Sequence, residues 1–340
     1  MNVSRMLSAV LLILILLPGE APGARVDQKG AQRVAFEEVG QFNDGGMAVT
    51  VLVAGNLAYV CEFDKGLEIL DIRDPRNIVK LCQVPDTDQA RGIALVGDIA
   101  FVSCNVNGLK FFDVGDPAKP TYLGQYGARD GDPHEFVAAG KFGYLTEWHG
   151  GVDIIDLSEP SKPRRLSQYK DGGMAFSIQI VGPHAYVTEF EAGFKILDIS
   201  DALNPVLIGE HNNGGETNAL HVAGGKAYVC DKLQGLEILD VGDPARPRLL
   251  GTFMDGGSAV GVRLVGDLAL VINWELGLEA IDVHDPAKPA KIGSFLDGGR
   301  PNGLQVVGDL VYVADGSDGL EIIRFRRDGA EGDEEKPELL

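Results

Sequence analysis

The sequence predicts an all-β, seven-bladed β-propeller with four-stranded antiparallel blades, and three observations carry that prediction. A 42-residue repeat runs through the chain seven times, with marker glycines Gly66, Gly108, Gly151, Gly193, Gly235, Gly277 and Gly319 at intervals of 42, 43, 42, 42, 42 and 42. A period of that length marks a unit too small to bury its own apolar face, which must stack on copies of itself. Within each unit, four short apolar runs are separated by turn residues, which 45 glycines and 17 prolines in 340 residues supply. The last unit lacks a fourth strand while a spare one precedes the first unit, as in a ring closed by its own N-terminal segment.

In chain order, residues 1–24 read as a secretory signal peptide: Arg5 gives an early positive charge, Leu7 to Leu17 an apolar run, and PGEAPGA cleavage points after Ala21 or Ala24. The run is 11 residues long, short of the roughly 20 that cross a bilayer. The mature chain is therefore expected to lack a membrane span and to be periplasmic, secreted or at the cell surface. The propeller is expected over residues 32–327. In its first unit, Val49 to Ala54 forms one strand, Gly55-Asn56 a hairpin, and Leu57 to Phe63 the second strand. Gly66 to Ile72 and Ile78 to Val84 follow as the third and fourth. The hairpin recurs as Gly97-Asp98, Gly140-Lys141, Gly182-Pro183, Gly224-Gly225, Gly266-Asp267 and Gly308-Asp309, where the leading glycine can take positive φ. Between third and fourth strands stand DIRDPRN, DVGDPAKP and DLSEPSKP, turns in which Asp accepts nearby backbone N–H groups and Pro stops the strand. The last unit offers Gly319 to Arg324 as its third strand, and VAFEEVGQF, Val34 to Phe42, aligns with the fourth strands RLLGTF and KIGSF. That early strand is expected to complete the last blade and remove an exposed sheet edge. Residues 328–340 read as an acidic disordered tail.

A formal net charge of -20 and a pI near 4.6 repel phosphate backbones, so nucleic acid is not expected as a partner. Export permits disulfides, and Cys61 with Cys104, on adjacent repeats, is the one pairing that the spacing of the four cysteines allows. No phosphate-binding Gly-rich loop, GxSxG elbow or CxxC is present. Units such as AYVCEFDKGLEILDIRDP and VYVADGSDGLEII resemble the LVIVD repeat family of exported propellers, from Val34 to about Phe325. The resemblance implies a periplasmic or surface-associated protein. Its motif consists of core strand and turn residues and names no catalytic set.

Strand order places the loops from fourth to first strand, and from second to third, on one face, where propeller ligands bind at the channel mouth. Four before each marker glycine stand Glu62, Cys104, Glu147, Glu189, Asp231, Asn273 and Asp315, read as loop caps or as a cation-attracting ring. The neighbouring ring holds Phe63, Trp148, Phe190 and Trp274, an aromatic rim able to stack a sugar, a peptide or a protein. On the innermost strands, Leu52, Ala94, Val137, Gln179, His221, Arg263 and Gln305 are expected to face the channel, with His221, Arg263 and Gln305 as ligand contacts. The third repeat departs from the others: DGDPHEF and TEWHGG bring His134, Glu135, Glu147, Trp148 and His149 to one sector, with Arg91 from the preceding unit. His134, Glu135, Glu147 and His149 are candidate acid-base groups, and His134, Glu147 and His149 candidate ligands of a divalent metal. The function expected is binding or scaffolding of a protein, glycan or small polar ligand at the mouth. The alternative is a periplasmic hydrolase or lyase, metal-assisted, at the third-repeat cluster.

Overall fold

The structure, a computed structural model, describes residues 33–84, 87, 89–127 and 132–328. The leader and all but the first residue of the acidic tail lie outside the described residues. Twenty-eight strands, β1 to β28, form seven four-stranded antiparallel sheets. Blade 1 is β2 (Ala48–Ala54), β3 (Leu57–Glu62), β4 (Gly66–Asp71) and β5 (Val79–Val84), in that order from the axis outwards. Blades 2 to 6 repeat the meander. Blade 7 combines β26 (Gly303–Val307), β27 (Leu310–Ala314) and β28 (Leu320–Arg327) with β1 (Val34–Phe42). β1 runs antiparallel to β28 from Val34 opposite Arg327 to Phe42 opposite Leu320, which closes the ring as the sequence predicts.

The marker glycine recurs for two reasons visible at Gly235. Its φ is +78°, a region that L side chains avoid. A Cβ there would also stand 2.2 Å from the carbonyl oxygen of Phe253. The Asp turns behave as expected: Asp71 Oδ1 accepts the Arg73 N–H at 3.1 Å and Asp74 Oδ1 the Arg76 N–H at 3.0 Å. These turns also pack blade on blade. A Cβ on Gly40, in the outer strand of blade 7, would lie 1.7 Å from Pro75 O of blade 1, and one on Gly209 would lie 2.1 Å from Pro244 O.

Seven apolar clusters fill the seams between neighbouring blades. Between blades 2 and 3, the buried Phe101 ring lies 5.7 Å from Phe111 and 4.9 Å from Phe136. The latch joins the same system, since Val39 of β1 packs with Leu70, Ile72, Leu320 and Ile322. Each unit thus buries its two faces only by having neighbours. All four cysteines are free thiols, Cys61, Cys104 and Cys230 buried, so the Cys61–Cys104 pairing does not form. No described helix is long and apolar enough to cross a membrane.

Candidate functional site

The mouth is assembled by one backbone hydrogen bond repeated around the ring. In five blades the residue that follows the Glu62-type position donates its N–H to the loop entering the same blade, while in blade 7 Gly316 donates to Ala48 O of blade 1 at 3.2 Å. The pairs are Phe63 to Met47 (2.9 Å), Trp148 to Asp132 (3.0 Å), Phe190 to Met174 (3.0 Å), Lys232 to Glu216 (3.1 Å) and Trp274 to Ser258 (3.1 Å). This fixes the backbone of the loops that carry the rim side chains. Trp148, Phe190 and Trp274 form one arc, half-buried, extended by Phe176, which the sequence did not single out, and by Lys232, which stands in the same ring. Phe176 joins it, its ring centroid 4.9 Å from Trp148 and 5.7 Å from Phe190. Lys232 carries its ammonium over Phe190 at 4.9 Å and Trp274 at 4.7 Å. Arg300 lies over Trp274 at 4.2 Å and Arg91 over Phe63 at 5.2 Å.

Below the rim, residues from all seven blades line an axial cavity of about 140 Å³, which continues into spaces of about 530 Å³ and 250 Å³. Thr50, Glu135 and Ser177 are the polar side chains at its waist, where other blades carry Gly92, Ala219, Gly261 and Gly303. Glu135 Oε2 accepts the Ile178 N–H of the next blade at 2.9 Å. Burial raises its pKa, and Arg263 lowers it across the channel. Arg263 and His221 line the deeper space, where burial and Arg263 pull the His221 imidazole down to about 4.

All seven members of the expected channel row line the axial spaces, and two of them are also held by a neighbouring blade. Gln305 holds the blade 7 to blade 1 seam: its Oε1 accepts the Val53 N–H at 2.7 Å and its Nε2 donates to Val53 O at 3.1 Å. Gln179 makes the same pair with Val222, at 2.7 and 3.0 Å. Their amides satisfy the free edge of the adjoining inner strand, which leaves them engaged rather than presented to a ligand.

The third-repeat cluster does not converge. His134 packs face-to-ring on Phe176 at 4.3 Å, and burial, with Arg91 and Lys232, pulls its pKa down to about 3. Glu135 points to the axis. Glu147 is buried beneath its own loop, where a Cβ on Gly150 would lie 1.8 Å from its Oε2. His149 is exposed, edge-on to Trp148 at 6.4 Å. Among the described residues, His134, Glu147 and His149 do not form a group of donor atoms within 4.8 Å of one another, as a shared metal would need, and Glu147 turns under its own loop. Among the described residues, the acidic groups close enough to share an ion are Asp44, Glu62 and Glu68 of blade 1 and Asp297, Asp315 and Glu321 of blade 7.

The ring to which Glu147 belongs is built into the loops. Asp231 Oδ1 accepts the N–H groups of Glu216, Leu233 and Gln234 at 3.1, 2.8 and 2.9 Å. Asn273 Oδ1 accepts that of Glu275 at 3.1 Å. Asp231 and Asn273 thus cap their loops, as the first of the two sequence readings holds for these positions.

Closed ring, N-terminal latch and axial cavity define a seven-bladed β-propeller with a lined channel mouth. The LVIVD repeat profile matches residues 45–81, 88–127, 130–171, 172–213, 214–255, 256–297 and 298–323. The chain belongs to the LVIVD repeat family. No curated protein sequence matches it. Among solved structures it is similar to virginiamycin B lyase from Staphylococcus aureus, both as a catalytically inactive variant with quinupristin and in selenomethionine-substituted form. Each has 11% identity and a TM-score of 0.70, over 86% of this chain and 99% of the other. It is also similar to the computationally designed Ika8 protein, at 10% identity and a TM-score of 0.64, over 85% of this chain and 99% of that one. At such identities the likeness is one of fold.

Proposed function

We propose that the protein is exported and that its channel mouth binds a small organic anion carrying a flat or apolar face. The observation that carries this reading is the set of four cations, Arg91, Lys232, Arg263 and Arg300, placed on and beneath an aromatic arc in a chain of net charge -20. None of them forms an ion pair with a described carboxylate. Burial lowers the pKa of Arg91, Lys232 and Arg263, so each holds its proton at a cost that an incoming carboxylate or phosphate oxygen would relieve. Ring faces at the rim would take the ligand's apolar part and select against inorganic ions. Residues 1–24, with their leader-like layout, support export.

The chain's two tryptophans, Trp148 and Trp274, both stand on this rim, so intrinsic fluorescence reports on the site. Titration with aromatic carboxylates, uronic acids and phosphate esters should quench or shift the emission, and Lys232→Gln or Arg263→Gln should weaken the response by about tenfold or more. A panel that leaves the emission unchanged would remove the proposal. A second reading, hydrolase or lyase, is favoured by one group, Glu135, a channel carboxylate whose proton affinity burial raises. Turnover of a bound anion that disappears in Glu135→Gln would support it, and binding without turnover would leave the binding module.

A further inference from the structure

Six of the blades place a cluster of acidic groups behind their mouth loops, and they differ in what neutralises the acids there. In blade 1, Lys80 Nζ lies 2.7 Å from Asp44 Oδ2 and also bonds Glu68. In blade 6, Lys291 Nζ lies 2.8 Å from Asp255 Oδ2 and 2.9 Å from Glu279 Oε1. Both lysines come from the outer strand, opposite Leu70 and Ile281 respectively. Blade 4 supplies the ammonium from its third strand, Lys195, bonded to Asp171 and Glu189. Blade 3 sets Arg165 3.4 Å from Asp153. Blade 5 uses an amide, Asn213 Nδ2, at 2.7 Å from Glu237 Oε1.

Blade 7 breaks the pattern. It carries Asp297, Asp315 and Glu321 at these positions, and the outer-strand residue opposite Ile323, where blades 1 and 6 place lysine, is Glu38 of the latch. One oxygen from each of the three acids lies within 4.8 Å of the others, the spread allowed around one ion by Ca–O distances of about 2.4 Å. Asp315 and Glu321 are each only 2% exposed. Asp315 Oδ1 is buried with no hydrogen-bond partner, an arrangement that costs free energy for a carboxylate. All three residues line a cavity of about 10 Å³, the room that one water-sized particle needs. Asp297 Oδ1 is engaged with the Gly299 N–H at 3.1 Å, which orients that carboxylate beside Glu321.

We infer that blade 7 binds a hard divalent cation, calcium in the first instance, through Asp297, Asp315 and Glu321, where blades 1 and 6 hold a lysine ammonium. All-oxygen donors at carboxylates select Ca²⁺ or Mg²⁺ over softer metals. The ion ties the loop entering blade 7 to β28, the strand on which the latch pairs, so its binding stabilises ring closure.

The test uses the full-length protein stripped with EDTA, then titrated with CaCl2 and separately with MgCl2 by calorimetry and thermal denaturation. One binding site and a rise in Tm with calcium are expected. Asp315→Asn should weaken calcium binding by about tenfold or more while folding normally, since blade 6 carries Asn273 at that position. Glu38→Lys should supply the missing ammonium, raise the metal-free Tm and abolish the calcium response. Absence of heat and of a Tm shift with both cations in the parent would overturn the inference, as would calcium binding unaltered in Asp315→Asn and Glu38→Lys alike.

Discussion

Gln305 closes the seam between blade 7 and blade 1, and replacing it should open that seam locally. In Gln305→Leu the shape is nearly kept, but Val53 loses the acceptor at 2.7 Å and the donor at 3.1 Å that serve its N–H and C=O. Val53 faces Ala58 on β3 with these groups turned away from the ladder, so no strand partner replaces the amide. Each lost bond is worth about 1 kcal/mol, more if the group stays dry. Val53 is half-buried and channel water can reach it, so the total is set at about 2 kcal/mol rather than the larger desolvation penalty. Urea denaturation should show a lower midpoint with an unchanged slope. Amide hydrogen exchange is the sharper assay: Val53 N–H should exchange on the order of 30-fold faster, the equivalent of 2 kcal/mol, while Val222 keeps its protection. Gln179→Leu should do the reverse, exposing Val222 and sparing Val53. Unchanged exchange at Val53 in Gln305→Leu, or equal loss at both sites, would refute the seam role.

Three further outcomes follow from the packing and the charges. Phe101→Ala, which removes a fully buried ring from between Phe111 and Phe136, should cost about 3–5 kcal/mol in chemical denaturation. Gly173→Ala would put a Cβ 1.9 Å from Glu189 Oε2 and push that carboxylate off Lys195, lowering stability by about 2–3 kcal/mol; Gly182→Ala, with nothing near its Cβ, should cost only the strain of its positive φ and serves as the control. Lowering the pH from 6.5 to 4.5 should destabilise the protein through His134 and His221, held in the folded state at about 3 and about 4. Depressed values mean that the unfolded chain takes up these protons first, so the stabilisation is complete above pH 6.5 and drains away as pH falls. The groups facing them are Arg91, Lys232 and Phe176 around His134, and Arg263 beside His221. Two pH units correspond to at most about 2.7 kcal/mol per imidazole, reduced to about 1 by the access of both half-buried rings to channel water. Glu62 and Glu279, raised to about 7 by burial, act with the opposite sign in the same window, so the measurement is the difference between parent and variants. His134→Asn and His221→Gln, residues that other blades already carry there, should flatten the acid side of the Tm profile. A profile unchanged in the double variant would exclude the histidines as its cause.

Fold and latch were legible because turn chemistry is local. A positive-φ glycine, an Asp that accepts its own N–H groups and a proline that stops a strand are each written in two or three adjacent residues, and seven copies separate them from noise. The latch needed only the missing fourth strand after Gly319 and the spare one at Val34. The channel row was legible from strand alternation, which puts Leu52, His221, Arg263 and Gln305 on the axial spaces; what the sequence did not show is that Gln179 and Gln305 are engaged by the neighbouring strand. In five blades the inner strand shifts register near its start, between Ala48 and Thr50 in blade 1 and between Pro133 and Phe136 in blade 3, for example. A bulge moves every earlier side chain by one step relative to strict alternation. Alternation therefore holds from that point onwards, and Thr50, Glu135 and Ser177 continue the row of Leu52, Val137 and Gln179 two residues earlier.

The blade 7 acids were hidden for a different reason. Glu38 and Glu321 are 283 positions apart in the numbering (321 minus 38), and only the ring's closure sets Glu38 where Lys80 and Lys291 stand in their own blades. A repeat protein assigns each position a structural partner within its unit, so a departure is visible only after the units are superposed strand by strand. Five blades meet the electrostatic demand behind the mouth with groups taken from the same unit. The seventh borrows its outer strand from the far end of the chain and so inherits an acid where the pattern calls for a base. The blade that must be latched is thereby the one whose charge is left for an external cation to balance, which makes the closing seam the natural place for ionic conditions to act on the whole ring.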